Sequence, residues 1–183
     1  MTEKTKMING ELYNSLDKTL VKERMRAKSL CFKYNNIHPK KTKSKTNIIK
    51  KLLGKTGENF LIEPNLFCDY GYNIEIGENF YSNQNLVILD PAKVKFGDNV
   101  FIGPNCNFYT AEHPIKAEER NTGLEYAKPI TVGNNVWFGG SVTVLGGVTI
   151  GDNTVIGAGS IVTKDIPSNV VAVGNPCKVI KQI

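Results

Sequence analysis

The stretch Ile130-Thr-Val-Gly-Asn-Asn-Val-Trp-Phe-Gly-Gly140, taken up again by Val148-Thr-Ile-Gly-Asp-Asn-Thr-Val-Ile-Gly-Ala-Gly-Ser-Ile-Val-Thr-Lys-Asp-Ile-Pro167, repeats every six residues. Val132, Phe138, Val144, Ile150, Ile156 and Val162 stand six apart, and four of the six residues that follow them are Gly. A second series, Val136, Val142, Val148, Thr154 and Ser160, lies four positions after the first. A helix repeats its face every 3.6 residues and a strand every 2, so neither makes this pattern. A six-residue unit with one inward aliphatic residue and a turn is one side of a parallel β-helix, in which three units close a triangular coil of eighteen residues. Gly133-Asn-Asn-Val136 and Gly151-Asp-Asn-Thr154 begin eighteen residues apart and offer Gly and Asn where a corner needs positive φ. They are expected to stack on one corner.

Upstream, Gly77-Glu-Asn-Phe80 and Gly97-Asp-Asn-Val100 present the same corner twenty residues apart, which implies a coil with two extra residues, placed near Pro91-Ala92. The repeat runs on through Phe96, Ile102 and Phe108. Gly97 and Gly133 are thirty-six residues apart, but positions 109–128 lack hexad spacing and are too polar for a coil interior. One coil plus one extruded loop at about 109–128 accounts for the interval, and a long loop on a rigid scaffold is where a functional site is expected. Of the two histidines, only His113 lies in that loop, within Tyr109-Thr-Ala-Glu-His-Pro114. His38 precedes Pro39 at a helix break and is read as a turn residue.

Residues 7–33 read as two short helices, with Leu12, Leu16, Leu20 and Met25 near a 3.6-residue period, and Lys40 to Leu53 as a further basic helix ending near Gly54. The expected organisation is a helical N-terminal domain over 1–57 and a mainly β domain over 58–183 with a C-terminal extension. Residues 1–57 hold 15 Lys/Arg against 4 Asp/Glu, so this segment carries most of the basic charge and its partner class must be weighed. No nucleic-acid motif accompanies the charge, so a solvated helical face or attraction of an anionic cofactor is preferred to nucleic acid. No apolar run is long enough to span a bilayer and no apolar leader follows Met1, so a cytoplasmic protein without a membrane partner is expected. Cys31, Cys68, Cys106 and Cys177 are widely spaced with no Cys-x-x-Cys pair, and are read as reduced, mostly packed thiols.

The quoted repeats resemble the hexapeptide-repeat acyltransferases, and within them the maltose and galactoside O-acetyltransferase branch. The resemblance extends to Met7-Ile-Asn-Gly-Glu-Leu-Tyr13, Asp69-Tyr-Gly-Tyr-Asn73 and Gly174-Asn-Pro-Cys-Lys-Val-Ile180, and so covers nearly the whole chain. It implies a left-handed parallel β-helix, a helical cap, and a homotrimer with active sites between subunits. Handedness comes from the resemblance alone, since the general rule for parallel crossovers favours the right-handed form.

The same resemblance implies an acetyl-CoA-dependent O-acetyltransferase acting on a sugar, with acetyl-CoA as co-substrate and no metal. His113 matches the catalytic histidine, and a neutral imidazole suits the removal of a hydroxyl proton near physiological pH. Gly140 matches the backbone donor to the tetrahedral intermediate, and Asn83 is placed with the catalytic group. Asp69, Tyr81 and Asn83 match acceptor-pocket positions. Ala158, Thr163, Lys164, Lys178 and Lys181, with Gly140, match cofactor-binding positions, and the glycines near Gly139 and Gly157 let a pantetheine arm approach the coil edge. Two departures bear on the acceptor: Ser15 and Pro91 stand where the galactoside type has Asp. The cap and Asp69-Tyr-Gly-Tyr72 look more like the maltose type, so a glucose or maltose acceptor is preferred. The rivals are a hexapeptide acyltransferase acting on an amine, a serine or an antibiotic hydroxyl, and a non-catalytic trimeric scaffold. A zinc hydratase on the same coil needs three histidines, and the β-helix part contains one.

Overall fold

The computed structural model describes residues 1–183. Three parallel sheets form the sides of a triangular prism. The first face stacks Phe60–Ile62, Phe80–Ser82, Phe101–Ile102, Trp137–Phe138, Val155–Ile156 and Val170–Val173, and is closed by Lys178–Gln182, which pairs antiparallel. The second face stacks Leu66–Cys68, Leu86–Leu89, Asn107–Tyr109, Thr143–Leu145 and Ile161–Val162. The third stacks Ile74–Glu75, Val94–Phe96, Ile130–Val132 and Thr149–Ile150.

Register reproduces the spacing in the sequence. Trp137 pairs with Val155, eighteen residues on, as Thr143 does with Ile161. The two upstream coils run twenty residues, Tyr81 to Phe101 and Ile74 to Val94. The extra residues sit on the edge between the second and third faces, in Asp69–Asn73 and Leu89–Lys93, so Pro91-Ala92 marks one of two such bulged corners. Both hexad series point inward: Val132, Phe138, Val144, Val136 and Val142 are all buried. Phe80, Phe96, Phe108 and Phe138 fill the axis edge to face, with centroids 5.3, 4.9 and 5.3 Å apart, a geometry that their ring quadrupoles favour.

The corners divide their labour differently from the simple expectation. Positive φ falls on the Asn in the third place of each corner, at Asn79, Asn99, Asn135, Asn153 and Asn169. Their side-chain amides join into a ladder, each Nδ2 donating to the next Oδ1 at 2.9–3.0 Å. Glycine is needed for closeness instead: a Cβ on Gly97 would stand 2.7 Å from the carbonyl oxygen of Gly133.

Helix α1 spans Glu3–Ile8, α2 Lys18–Asn35 and α3 Thr42–Leu52. The side chain of Asp17 caps α2 by accepting from the N–H groups of Thr19 and Leu20. The buried stripe of α2 is Leu20, Ala27, Cys31 and Tyr34, and the Tyr34 hydroxyl donates to the Ile62 carbonyl of the first coil. Leu12 and Leu16 lie outside the helices and are exposed, as is Met25, so the expected apolar face was misplaced. Tyr13–Asn14 is a short strand between α1 and α2, in a region where the sequence suggested two short helices and no strand. Ala27, Cys31, Tyr34, Ile48, Ile49 and Leu52 share one hydrophobic cluster with the coil interior, so the helices close the open first turn of the prism.

Candidate active site

The edge between the second and third faces gathers the first group of expected residues. Asp69 follows Cys68 there, Thr163 and Lys164 follow Val162, and residues 111–127 leave the coil as a hairpin. Ala111–Glu112 pairs antiparallel with Leu124–Ala127, and α4 (Ala117–Arg120) lies at its tip. The outer hairpin strand also pairs with Tyr13–Asn14 from the cap. The loop expected from the sequence is therefore a clipped three-stranded sheet.

His113 follows the first hairpin strand and is exposed, with Nδ1 3.4 Å from the Leu124 carbonyl oxygen across the hairpin. A carbonyl only accepts, so Nδ1 is the donor in this contact, and in a neutral ring Nε2 is then the nitrogen that carries the lone pair.

Asp90 organises the corner below. Its buried carboxylate accepts from the N–H groups of Asp69 at 3.0 Å, Tyr70 at 2.8 Å and Gly71 at 2.7 Å. Burial pushes Asp90 up to about 7, against those three hydrogen bonds. Burial also raises Asp69, opposed by the charges of Arg24 and Lys28. Arg24 is fixed by Nη1 donating to Tyr70 Oη at 2.8 Å and Nη2 to the Ser15 carbonyl at 2.6 Å, and Tyr13 Oη donates to Glu125 at 2.8 Å. With Asp69 these groups surround a polar cavity of about 140 Å³. A larger cavity, about 630 Å³, opens on the other side of Asp69 between α2 and the second face. The larger one is mostly apolar and touches the polar cluster only through Asp69.

The second group lies on a different edge, between the first and second faces. Tyr81 stands on the outer side of the first face beside Phe101, at 6.3 Å between centroids. Asn83 turns the corner with its N–H on the Ile102 carbonyl at 2.9 Å, while its Oδ1 accepts from the Gln84 N–H at 2.7 Å. Gly140 accepts through its carbonyl from Gly159, but its N–H meets no acceptor within the chain. A Cβ on neighbouring Gly139 would lie 2.5 Å from the Ala158 nitrogen, so two coils pass as closely as backbone allows. Ala158, Thr163 and Lys164 are exposed, and so are Lys178 and Lys181 on the antiparallel C-terminal strand.

Within one chain, then, Asp69, His113, Thr163 and Lys164 share one edge, and Asn83, Gly140 and Ala158 share the next. The sequence did not disclose Asp90, Arg24, Tyr13 or Glu125 as parts of the cluster. An Asp-Pro pair reads as a turn, and the other three are separated from Asp69 by 45 residues or more.

Two segments of the chain match known protein families. Residues 6–57 match the maltose acetyltransferase hexapeptide capping motif, and residues 129–164 match the six-repeat bacterial transferase hexapeptide. The galactoside O-acetyltransferase of Escherichia coli is 48% identical over 183 residues, all of this chain and 89% of that protein. A maltose O-acetyltransferase from Clostridium difficile 630 superposes with a TM-score of 0.99 at 52% identity, covering 100% of this chain and 98% of that one. The chain belongs to the maltose and galactoside O-acetyltransferase branch of the hexapeptide-repeat acyltransferases. A galactoside acetyltransferase in complex with coenzyme A also superposes, with a TM-score of 0.97 at 47% identity over 100% of this chain and 92% of that one. As a member of this branch the protein is an acetyltransferase on a left-handed β-helix, so its crossovers run against the general right-handed preference.

Proposed function

We propose that this acetyltransferase moves an acetyl group from acetyl-CoA directly to a hydroxyl of a sugar of the glucose or maltose type, with His113 as general base. The observation that carries the reading is the His113 contact with Leu124, which orients the ring and frees Nε2. Nε2 takes the acceptor hydroxyl proton as that oxygen attacks the thioester carbonyl. The resulting oxyanion is met by the Gly140 N–H, which is otherwise unused. Collapse expels the CoA thiolate, which recovers the proton from the imidazolium to leave as free thiol. No covalent acyl-enzyme is required.

Asn83 supports this assignment because its Oδ1 is occupied by Gln84, leaving the two Nδ2 donors unused within the chain for sugar or ester oxygen. Asp69 supplies a carboxylate acceptor, and Tyr81 an aromatic wall of the kind that sugar rings stack on. Thr163, Lys164, Lys178 and Lys181 offer exposed donors and cations to the CoA phosphates, and the close Gly139–Ala158 passage admits a slender pantetheine arm. The galactoside-type acceptor is disfavoured by Ser15 and Pro91.

The two half-sites on neighbouring edges support a homotrimer in which one subunit's His113 edge faces the next subunit's Asn83 edge. A column on the first face, Leu61, Tyr81, Phe101 and Trp137 in direct register, with Tyr81 half-buried and the other three exposed, is suited to that contact. The helical cap is assigned to residues 1–57 and the coil to 58–183, in keeping with α3 ending at Leu52 and the first coil strand starting at Phe60. A cytoplasmic setting belongs to the same reading, because acetyl-CoA is an intracellular co-substrate.

The test is acceptor-dependent CoA release from acetyl-CoA with glucose, maltose, galactosides, amines and chloramphenicol, for wild type and a folded His113→Ala variant. Sugar-dependent turnover that drops about 10²- to 10⁴-fold in the variant is expected. Turnover with amines or chloramphenicol alone would replace the sugar by the non-sugar rival. Absence of CoA binding would favour the scaffold.

A further inference from the structure

Cys31 and Cys68 are 37 residues apart in sequence, yet α2 and the second face bring their Sγ atoms to 3.7 Å. Both thiols are free, and both line the cavity of about 630 Å³ beside Asp69. Side-chain exposure is small, with whole-residue values of 2% and 6%, so the cavity is the route by which a small reagent reaches them. The remaining cysteines are placed otherwise: Cys106 points its Sγ at the Gly139 carbonyl at 3.1 Å inside the coil, and Cys177 sits by the C-terminal strand. Nothing in the acetyl-transfer chemistry uses the Cys31–Cys68 pair.

We propose that Cys31 and Cys68 form a dithiol that a hydroperoxide converts to a disulfide, stapling the helical cap to the second face of the coil. Cys31 Sγ, as thiolate, attacks the hydroperoxide and breaks its O–O bond, leaving a sulfenic acid on Cys31 while the other oxygen departs as alcohol or water. Cys68 Sγ then attacks the sulfenic sulfur, the S–O bond breaks, and water leaves with the Cys68 proton. Two thiols lose two electrons in all and one hydroperoxide gains them. Cys31 is the attacking group because the hydrogen bond from Cys68 holds its thiol below the ordinary range, against the effect of burial. The approach needed is short: a disulfide brings the sulfurs to about 2.05 Å, a closure of less than two ångströms that side-chain rotation and a small helix shift supply.

The bond would close a loop that already contains the cap-to-coil junction, so it acts on docking of α2 and not on the hexad core. Its formation is independent of acetyl transfer, and its failure would leave the functional reading untouched.

The full-length protein is titrated with hydrogen peroxide, then denatured for thiol counting and mapped by mass spectrometry without reduction. Loss of two of the four thiols, a Cys31–Cys68 linked peptide, recovery with dithiothreitol and a higher melting midpoint for the oxidised form are expected. A Cys68→Ser variant is expected to retain a sulfenic acid on Cys31 that dimedone captures, while a Cys106→Ser/Cys177→Ser double variant still forms the link. Four thiols persisting in the folded wild type at peroxide doses that oxidise a model dithiol would overturn the proposal. So would a link through Cys106 or Cys177, separate sulfinic acids on the two cysteines, or an unchanged melting midpoint. The wild-type map is decisive by itself, so the test does not depend on how well either variant folds.

Discussion

At the scale of single residues, Asp90 shows how one side chain can hold a functional corner while sitting uneasily in it. Three backbone donors converge on its carboxylate, and full burial nonetheless raises it to about 7. An unfolded Asp titrates near 4, roughly, so between about pH 4 and 7 the unfolded chain has released a proton that the folded chain retains. Stability from this group is full below about pH 4 and declines as pH rises to about 7, by at most about 4 kcal/mol. Denaturant melts from pH 4 to 8 should show this decline in wild type and its loss in Asp90→Asn. A parallel decline in the variant would assign the effect elsewhere. The amide of the variant keeps one oxygen for Asp69 and Tyr70 but turns a donor toward the Gly71 N–H, so it should also shift the Asp69 turn and raise acceptor KM severalfold more than acetyl-CoA KM.

At the scale of elements, the corner ladder explains why Asn recurs where a turn alone would accept Gly. Asn135 occupies positive φ and makes two ladder bonds, to Asn99 and Asn153. Asn135→Gly keeps the backbone comfortable and loses the two bonds, at about 1 kcal/mol each. Asn135→Ala loses them and adds the left-handed penalty of about 1–2 kcal/mol. Thermal melts should therefore rank wild type, then Gly, then Ala, and the reverse order of the two variants would refute the ladder account. The hairpin is a second element whose form depends on distant chain. Tyr13 and Asn14 pair with Glu125 and Leu124, the latter being the residue whose carbonyl orients His113. Replacing Tyr13 by Phe removes the 2.8 Å bond to Glu125 and is expected to lower kcat several-fold with little change in acetyl-CoA KM, read from steady-state kinetics. An unchanged kcat would detach the cap strand from catalysis.

At the scale of the molecule, the prism leaves a column of apolar side chains on its first face, with Leu61, Phe101 and Trp137 each about half exposed or more. Single exposed apolar residues are ordinary, whereas several in direct register make a contiguous patch of the kind that marks an interface. On the proposed trimeric assembly, Phe101→Asp is expected to shift the solution mass toward monomer in light scattering and to reduce turnover together with it. A trimer that survives this charge would move the interface off the first face. Full turnover by a monomer would show that one chain completes the site, against the separation of His113 and Asn83 onto different edges.

The sequence by itself determined the coil, its eighteen- and twenty-residue turns, the place of the excursion and the position of His113 within it. Hexads are legible because inward residues and corner turns are set by a few bonds of local backbone geometry, which each coil repeats. Residue by residue, the resemblance also gave Asn83, Gly140 and the cofactor lysines their expected roles, but not their division between two edges. Only the tertiary structure decided that Leu12, Leu16 and Met25 face solvent, that Tyr13 clips the hairpin, that Asp90 secures the Asp69 corner, and that Cys31 meets Cys68. The contacts among these join segments separated in the chain. Such contacts leave no periodic trace, because they depend on how the cap settles on the first open turn of the prism, a fit fixed by packing once the coil has closed.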